Sequence, residues 1–374
     1  MIDQLKKYRQ DLHQIPEIAF DLHKTSAYVK DELIKMGYQP LLMAKTGFVI
    51  AKEGKSKEAI LFRTDMDALP VKEMTDLSFK SKHEGSMHAC GHDGHMAMML
   101  GFASYVASLK NLNKTIVMIF QPAEEGPGGA KVMIEEGLFN LFDIKAVYGI
   151  HLYPELEEGL YGLVDGPMMA QNGEFDVIIE GKSSHGALPH LGSDAIIAAT
   201  ALIQGYQSII SRRISALDSA VITVGTIKGG EARNILAKEV KLSGTMRAFD
   251  EKVYQKIKKI MDEVKQGIEL TYQVKINQHI EDYYPPVIND HELFESLKNS
   301  LDNGQYRLIS PMPVSEDFAF YQKHVPGIFV MLGSRNEKKG WIHPLHSDHF
   351  NFDESILIKG VELYQKILEI HHVI

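Results

Sequence analysis

Three short apolar runs constrain the fold of this chain more than any other feature. They occupy residues 59–63, 115–120 and 145–150, and a helical pattern over residues 92–109 separates the first two. A continuous apolar run of this length is typical of a strand that is buried on both faces of a sheet. Strands that alternate with helices usually form a parallel sheet. We therefore predict an α/β domain built on a mostly parallel sheet.

Polar side chains follow each of these runs. Asp65 and Asp67 come after the first run, Glu124 and Glu125 after the second, and His151 directly after the third. In open parallel sheets, ligands bind beyond the carboxyl ends of the strands. We therefore expect these five side chains to lie near one another at one edge of the sheet.

The pattern changes after residue 173 to strand, helix, strand, strand, helix and strand. The predicted strands are residues 174–181, 220–227, 239–247 and 272–280, and the predicted helices are residues 192–213 and 252–268. This order is the split βαβ arrangement of ferredoxin-like domains. The first pattern resumes near residue 284. We predict one α/β domain from residues 1–173 and 284–374, interrupted by an inserted ferredoxin-like domain over residues 174–283.

Composition and charge argue against nucleic acid and membranes as partners. The chain of 374 residues carries a formal net charge of −9, which disfavours nucleic acid as a ligand. No apolar run approaches the length that a membrane-spanning helix needs, so we expect no membrane partner. A single cysteine cannot form an intramolecular disulfide, which is typical of a reducing compartment. We expect a cytoplasmic protein.

Two short stretches carry residue types suited to a metal centre. Cys90 and His92 lie two residues apart in a glycine-rich segment, and Glu124 and Glu125 are adjacent. Thiolate, imidazole and carboxylate are ligands of zinc-class and manganese-class ions. Two adjacent carboxylates repel each other unless a cation neutralises one, which leaves the other free as a base. Alternatives are an inert buried thiol, or a cysteine hydrolase with Cys90 as nucleophile and His92 or His95 as base.

The chain resembles the aminoacylase and hippurate-hydrolase branch of the family-twenty di-metal peptidases, which are N-acyl-amino-acid amidohydrolases. The motifs that carry the resemblance, in chain order, are residues 12–17, 63–70, 88–93, 121–130, 149–151, 181–186, 244–247, 315–318 and 345–347. Together they span almost the whole chain. The resemblance implies a catalytic domain of the zinc-peptidase type, two bound divalent ions and hydrolysis of a small N-acyl amino acid.

The resemblance also implies roles for individual residues. The implied metal ligands are Cys90, His92, Glu125, His151 and His346. Cys90 stands where other relatives have a metal-bridging aspartate. Glu124 is implied to be the general base, and Asp67 to orient a ligand such as His92. His343 and His349 are near neighbours that compete with His346 for its assignment. Asp65 and Asp93 are expected to cap or orient neighbouring groups, and a structural role is expected for His13.

The implied roles in the inserted domain concern the substrate. His185 is implied to stabilise the tetrahedral oxyanion, in its own or in a partner's active site. Asn234 and Arg247 match positions near the substrate carboxylate. The simpler alternatives are a hydrogen bond within the domain for His185 and a salt bridge for Arg247. In relatives this domain closes as a lid and carries the dimer interface, so a homodimer is expected.

Neither the substrate nor the metal is fixed by the sequence. Candidate substrates are N-acetyl or aroyl amino acids such as hippurate, indole-acetyl conjugates and N-acetyldiaminopimelate of lysine biosynthesis. The ligand types suit manganese or zinc, with cobalt and nickel possible. A rival of another class is a non-catalytic metal- or peptide-binding protein on the same scaffold.

Overall fold

The computed structural model describes residues 1–374, and the chain divides into two compact units. Unit 1 comprises Met1–Gly166, Ile288–Ser310 and Asp317–Ile374, and unit 2 comprises Pro167–Val287 and Pro311–Glu316. The predicted insertion at residues 174–283 lies inside unit 2. Unit 2 also takes in residues 167–173, residues 284–287 and the segment Pro311–Glu316, which the prediction assigns to the α/β domain.

Helices and strands alternate through most of the chain. The α-helices are α1 (Ile2–His13), α2 (His23–Lys35), α3 (His92–Ser108), α4 (Gly129–Glu135), α5 (Leu138–Leu141), α6 (Ala195–Arg213), α7 (Glu251–Tyr272), α8 (His291–Ser300), α9 (Ala319–Gln322) and α10 (Leu357–Ile370). The β-strands are β1 (Leu41–Met43), β2 (Gly47–Lys52), β3 (Ser56–Asp65), β4 (Lys114–Gln121), β5 (Asp143–Glu157), β6 (Tyr161–Leu163), β7 (Gly166–Met169), β8 (Gln171–Glu180), β9 (Ala220–Gly229), β10 (Glu239–Ala248), β11 (Lys275–Asp282), β12 (Val287–Asn289), β13 (Tyr306–Leu308) and β14 (Gly327–Arg335).

Unit 1 is built on a large mixed sheet with the strand order β1-β2-β4-β3-β5-β14-β6-β13. The central strands β4, β3, β5 and β14 run parallel to one another, which confirms the predicted mostly parallel sheet. Their side chains are buried, and helices α3, α4 and α5 pack against these strands. Phe62, Phe102 and Tyr364 meet in this core, with ring centroids 4.8–5.2 Å apart.

Strand β5 is longer than predicted, and His151 lies within it instead of following its end. The pairing of β5 with β3 ends where Arg63 faces Gly149. The pairing with β14 continues, with His151 opposite Met331. Strand β5 therefore extends because β14 supplies hydrogen bonds beyond the end of β3. His151 still lies at the level of the carboxyl end of β3, on the expected edge of the sheet.

Unit 2 contains its own antiparallel sheet, with strand order β11-β8-β10-β9. Helices α6 and α7 pack against each other and against this sheet. The alternate side chains of β8 are buried, because one face of the strand contacts a separate apolar core. Asp194 and Asp250 cap α6 and α7 by accepting hydrogen bonds from main-chain N–H groups of the first turn.

Most predicted bounds differ from the observed ones by a few residues. Helix α6 begins at Ala195 instead of residue 192, because Asp194 caps it. Helix α7 continues to Tyr272, where the prediction places the start of a strand, and Gln273 then adopts a left-handed conformation with φ of 54°. None of the helices has the length and apolar character that crossing a membrane requires.

Candidate active site

The carboxyl ends of the central strands bring the predicted polar residues of unit 1 together. Asp65 is the last residue of β3, and Asp67 follows two residues later. Glu124 and Glu125 follow β4, and His151 lies on β5. Because β3, β4 and β5 are neighbours in the sheet, these side chains meet at one edge.

The segment before α3 supplies the thiol and a histidine. Gly91 has φ of +84°, which an L side chain rarely adopts, and a Cβ there would lie 2.8 Å from the Leu152 side chain. This turn lets Cys90 and His92 contribute to the same cluster. Both residues are buried. The Cys90 Sγ atom lies 3.4 Å from His151 Nε2.

Several overlapping groups of ligand atoms could hold metal ions. Cys90, His92 and His151 form one group whose ligand atoms lie within 4.8 Å of one another, and Cys90, Glu125 and His346 form another. Atoms that share one ion at about 2.0–2.3 Å must lie this close together. Since Cys90 belongs to both groups, its side chain could contribute to either of two neighbouring metal sites.

Orphaned buried polar atoms provide independent support for a cation. Neither ring nitrogen of His92 has a hydrogen-bond partner, and Glu125 Oε1 also lacks one. The nearest charged atoms are Asp67 Oδ1, 3.5 Å from His92 Nδ1, and His346 Nε2, 3.3 Å from Glu125 Oε1. A buried polar group without a partner costs free energy, and a coordinated ion would remove that cost. The residues present therefore fit a metal centre.

The electrostatics of the cluster point the same way. Burial disfavours protonation of His92, but Asp65, Asp67 and Glu125 outweigh it and raise the pKa of His92 to about 10. Burial and the carboxylates of Glu125 and Glu124 raise the pKa of the Cys90 thiol. The cluster thus has an excess of negative charge that a cation would neutralise, and it does not favour a free thiolate.

Asp67 anchors the two glutamates through their backbone. Its Oδ1 accepts a hydrogen bond from the N–H of Glu124 (3.0 Å), and its Oδ2 accepts one from the N–H of Glu125 (3.1 Å). The Glu124 carboxyl lies in the same cluster, in one group with His92 and Glu125. Asp67 therefore fixes the main chain of both carboxylates.

Asp65 orients His95, whose ring nitrogens are both occupied although it forms a candidate ligand group with Asp65 and His92. His95 Nδ1 donates to Asp65 Oδ1 at 2.7 Å, and His95 Nε2 accepts from the N–H of Leu152 at 2.9 Å. Both ring nitrogens are therefore occupied, Nδ1 as the donor and Nε2 as the acceptor. Asp93, at the start of α3, accepts hydrogen bonds from Arg9 and His13, which agrees with a structural role for these residues.

The three histidines near residue 346 differ in their surroundings. His346 has a left-handed backbone with φ of 66° and faces Glu125. His343 and His349 contact each other, with ring centroids 5.3 Å apart, and neither belongs to a group of candidate ligands. Only His346 of the three meets the cluster.

The remaining predicted residues lie in unit 2. His185 is exposed, and it pairs with Ile235 in a β-bridge. The N–H of Gly186 donates to the carbonyl oxygen of Asn234 at 2.8 Å, so His185 and Asn234 are close neighbours. Arg247 lies on β10, where its guanidinium donates to Thr245 Oγ1. The N–H of Ala187 donates to His185 Nδ1, which leaves the proton of the neutral ring on Nε2.

Sequence reasoning assigned no role to Arg63, Gln121 and Asp317, which form a buried network beneath the cluster. Arg63 and Gln121 donate to the Asp317 carboxylate at 2.8–2.9 Å. The sequence does carry a signal for this network: Arg63 is a charged residue at the end of an otherwise apolar run, and an arginine in a central strand needs a buried partner. His88 is buried, and neither of its ring nitrogens has a hydrogen-bond partner.

Comparison with known proteins identifies relatives along nearly the full chain. Residues 61–370 match the family model of peptidase family M20/M25/M40. The chain is 40% identical to an N-acetyl-L-cysteine deacetylase of Bacillus subtilis, over 96% of this chain and 85% of that protein. It is 38% identical to an N-acetyldiaminopimelate deacetylase of Bacillus licheniformis, over 89% and 90%. A crystal structure of a dinuclear metal-binding M20 peptidase from Bacillus subtilis superposes with a TM-score of 0.86 at 30% identity, covering 100% of this chain and 98% of that one.

Proposed function

The chain belongs to peptidase family M20/M25/M40 and is a metal-dependent amidohydrolase, and on that basis we propose that it removes the acyl group from small N-acyl amino acids. The observation that carries the proposal is the pair of overlapping ligand groups that share Cys90. The deacetylase relatives favour an acetyl group. Aroyl and indole-acetyl amino acids are further candidate substrates, because the same hydrolysis would cleave their amide bonds.

We propose that Cys90, His92, Glu125, His151 and His346 hold two divalent ions, manganese or zinc. The thiolate and imidazoles suit zinc, and the carboxylate also suits manganese. When bound, the ions would polarise the amide carbonyl and make water a better nucleophile at neutral pH. The orphaned nitrogens of His92 support this assignment, because they have no other partner.

Glu124 is the proposed general base. Its carboxylate would take a proton from water as the water oxygen bonds to the amide carbon. It would then return a proton to the nitrogen as the C–N bond breaks, which yields a free acid and a free amine. The hydrogen bonds from the backbone of Glu124 and Glu125 to Asp67 support this role, because they fix the position of the base.

Unit 2 is proposed to be a ferredoxin-like lid and dimerisation domain with substrate-binding groups. The strand order β11-β8-β10-β9 with two helices supports the fold. His185 has its ring proton on Nε2, so it could donate to the oxyanion of a substrate, in the active site of its own chain or of a partner. Asn234 and Arg247 are proposed to bind the substrate carboxylate. Residence in the cytoplasm is proposed from the single cysteine.

Replacement of Glu124 by glutamine tests the proposed base. We expect E124Q to lower kcat by about 10²–10⁴-fold, because general acid–base catalysis contributes that much, and to leave the metal content unchanged. Elemental analysis and initial rates on N-acetyl amino acids measure both quantities. Glu135→Gln, an exposed carboxylate on α4, is the matched control and should behave as wild type. Near-normal turnover by E124Q would exclude Glu124 as the base.

A substrate panel separates the remaining alternatives. N-acetyl-L-cysteine, N-acetyldiaminopimelate, hippurate and an indole-acetyl amino acid would each be assayed with added manganese, cobalt or zinc. A strong preference for N-acetyldiaminopimelate would favour a role in lysine biosynthesis. Two tightly bound metal ions without turnover of any acyl amino acid would favour a non-catalytic binding protein.

A further inference from the structure

A fully buried arginine, Arg63, connects two buried carboxylates beside the candidate metal cluster, those of Asp65 and Asp317. The Arg63 guanidinium donates from Nη1 to Asp65 Oδ2 at 2.7 Å and from Nη2 to Asp317 Oδ1 at 2.8 Å. Its Nε donates to Gln121 Oε1 at 3.0 Å. Arg63, Asp65 and Asp317 are each at most 1% exposed. One buried cation is therefore held between two buried carboxylates.

Asp317 also binds both ends of the segment that carries the two glutamates. This segment, residues 122–129, is called the carboxylate loop below. Gln121, the last residue of β4, donates from its side-chain amide to both oxygens of Asp317 at 2.9 and 2.8 Å. At the other end, the N–H of Ala130 in the first turn of α4 donates to Asp317 Oδ2 at 2.9 Å. A single carboxylate thus closes the loop at its base.

The middle of the carboxylate loop is fixed separately by Asp67, which accepts from the N–H groups of Glu124 and Glu125. The loop is therefore held at its two ends and at its centre. Through Arg63, the carboxylate that closes the loop is connected to Asp65, which orients His95 and lies 3.8 Å from His92 Nδ1. The loop is rich in glycine at residues 126, 128 and 129, so without these contacts its backbone would sample many conformations.

We propose that Asp317, paired with Arg63, is a positioning residue of the metal centre: it places Glu124 and Glu125 before any ion binds. The inference rests on the proposed roles of these two glutamates. Because Asp317 orders the loop during folding, metal binding does not have to supply that ordering free energy, and affinity rises. Loss of the Asp317 charge should therefore weaken metal binding even in protein that remains folded.

The competing explanation is that the pair only stabilises the fold. Removing one partner of a buried ion pair is strongly destabilising because the other charge is left uncompensated. That explanation predicts a lower unfolding temperature with unchanged metal affinity in the folded protein. Asp317→Asn distinguishes the two, because asparagine keeps the size of the side chain, removes its charge and cannot accept all of the hydrogen bonds from Arg63, Gln121 and Ala130.

The experiment measures Mn²⁺ and Zn²⁺ binding to the metal-free full-length protein, by competition with a chelating dye, below the unfolding temperature of each variant. We expect D317N to bind at least one ion 10–100-fold more weakly than wild type, the range typical for lost residues that support metal ligands. Asn289→Ala is the matched control, because Asn289 is buried, donates to the Val164 and Phe329 carbonyls and accepts from the N–H of Phe329. It should lower the unfolding temperature without changing metal affinity.

Equal metal affinities of wild type and folded D317N would overturn the inference, as would an equal loss in N289A. If D317N does not fold, Gln121→Met is the deciding variant: it retains the Arg63–Asp317 pair and removes the bonds that hold the end of β4. A several-fold weaker affinity of Q121M supports the inference, and wild-type affinity overturns it. Failure of the wild-type protein to bind either ion would instead overturn the proposed function itself.

Discussion

Cys90 is the single residue whose chemistry depends most on whether metal is bound. In the metal-free cluster, burial and the Glu125 and Glu124 carboxylates raise the pKa of its thiol, so the sulfur is protonated. A divalent ion would reverse this, because a coordinating thiol loses its proton. The same sulfur atom can therefore serve as a ligand without being a nucleophile in the free protein.

Substitution of Cys90 by aspartate separates these two roles. Aspartate retains an anionic ligand of similar reach, so we expect C90D to bind metal and to hydrolyse acyl amino acids within about 100-fold of wild type. Cys90→Ala should lose both properties. Metal titration and initial rates measure the outcome. An inactive C90D with full metal content, together with wild-type activity that survives chelation, would indicate a thiol nucleophile.

The residue types of the candidate site were predictable wherever they are adjacent in sequence. Cys90 and His92 share a turn, and Glu124 and Glu125 share a strand end, so local spacing was sufficient. The ion pair between Arg63 and Asp317 was not predictable from spacing, because 254 residues separate the partners. Only the folded sheet shows that the two side chains face each other.

Among the elements, the junction between β4 and α4 is the most tightly constrained. A Cβ at Gly129 would lie 1.8 Å from the Pro122 carbonyl oxygen, a backbone atom that cannot rotate away. Gly129→Ala must therefore displace the carboxylate loop. We expect a loss of about 1–3 kcal/mol of unfolding free energy, as for other overpacked sites, and weaker metal binding. Urea unfolding and dye competition on the metal-free protein measure the two effects.

The control for that substitution lies in α7. Gly267 is exposed, and an added Cβ would meet no atom within 4 Å. Gly267→Ala should raise the unfolding free energy by up to about 1 kcal/mol, because alanine has the higher helix propensity. Equal effects of G129A and G267A would mean that the close approach to Pro122 has no energetic consequence.

Periodicity predicted the long elements well and the short ones poorly. The helical spacing of apolar residues located α3, and the apolar runs located β3 and β4. The full length of β5 was missed because its second half is set by pairing with β14, which is distant in sequence. The end of α7 was misplaced because the residues before Gln273 suit a strand as well as a helix.

At the scale of the whole molecule, the two units have separate apolar cores, one around α3 and the central sheet and one beneath α6 and α7. All five proposed metal ligands belong to unit 1. A ligand that binds only the native state stabilises it by RT ln(1 + [L]/Kd), about 4 kcal/mol at a thousand times Kd. Bound metal therefore stabilises mainly the part of unit 1 that must open before the ion can leave.

Removal of metal should therefore destabilise unit 1 more than unit 2. We expect chelation to increase amide hydrogen exchange at the carboxyl ends of β3 and β4 and at the start of α3, since these elements carry or adjoin the proposed ligands. Exchange in β8 and β10, which form the buried centre of the unit 2 sheet, should change little. Hydrogen–deuterium exchange with mass spectrometry measures both regions in one sample. Glu125→Ala, which removes a proposed ligand, should show a smaller response to chelator. An equal increase in both units would contradict confinement of the metal centre to unit 1.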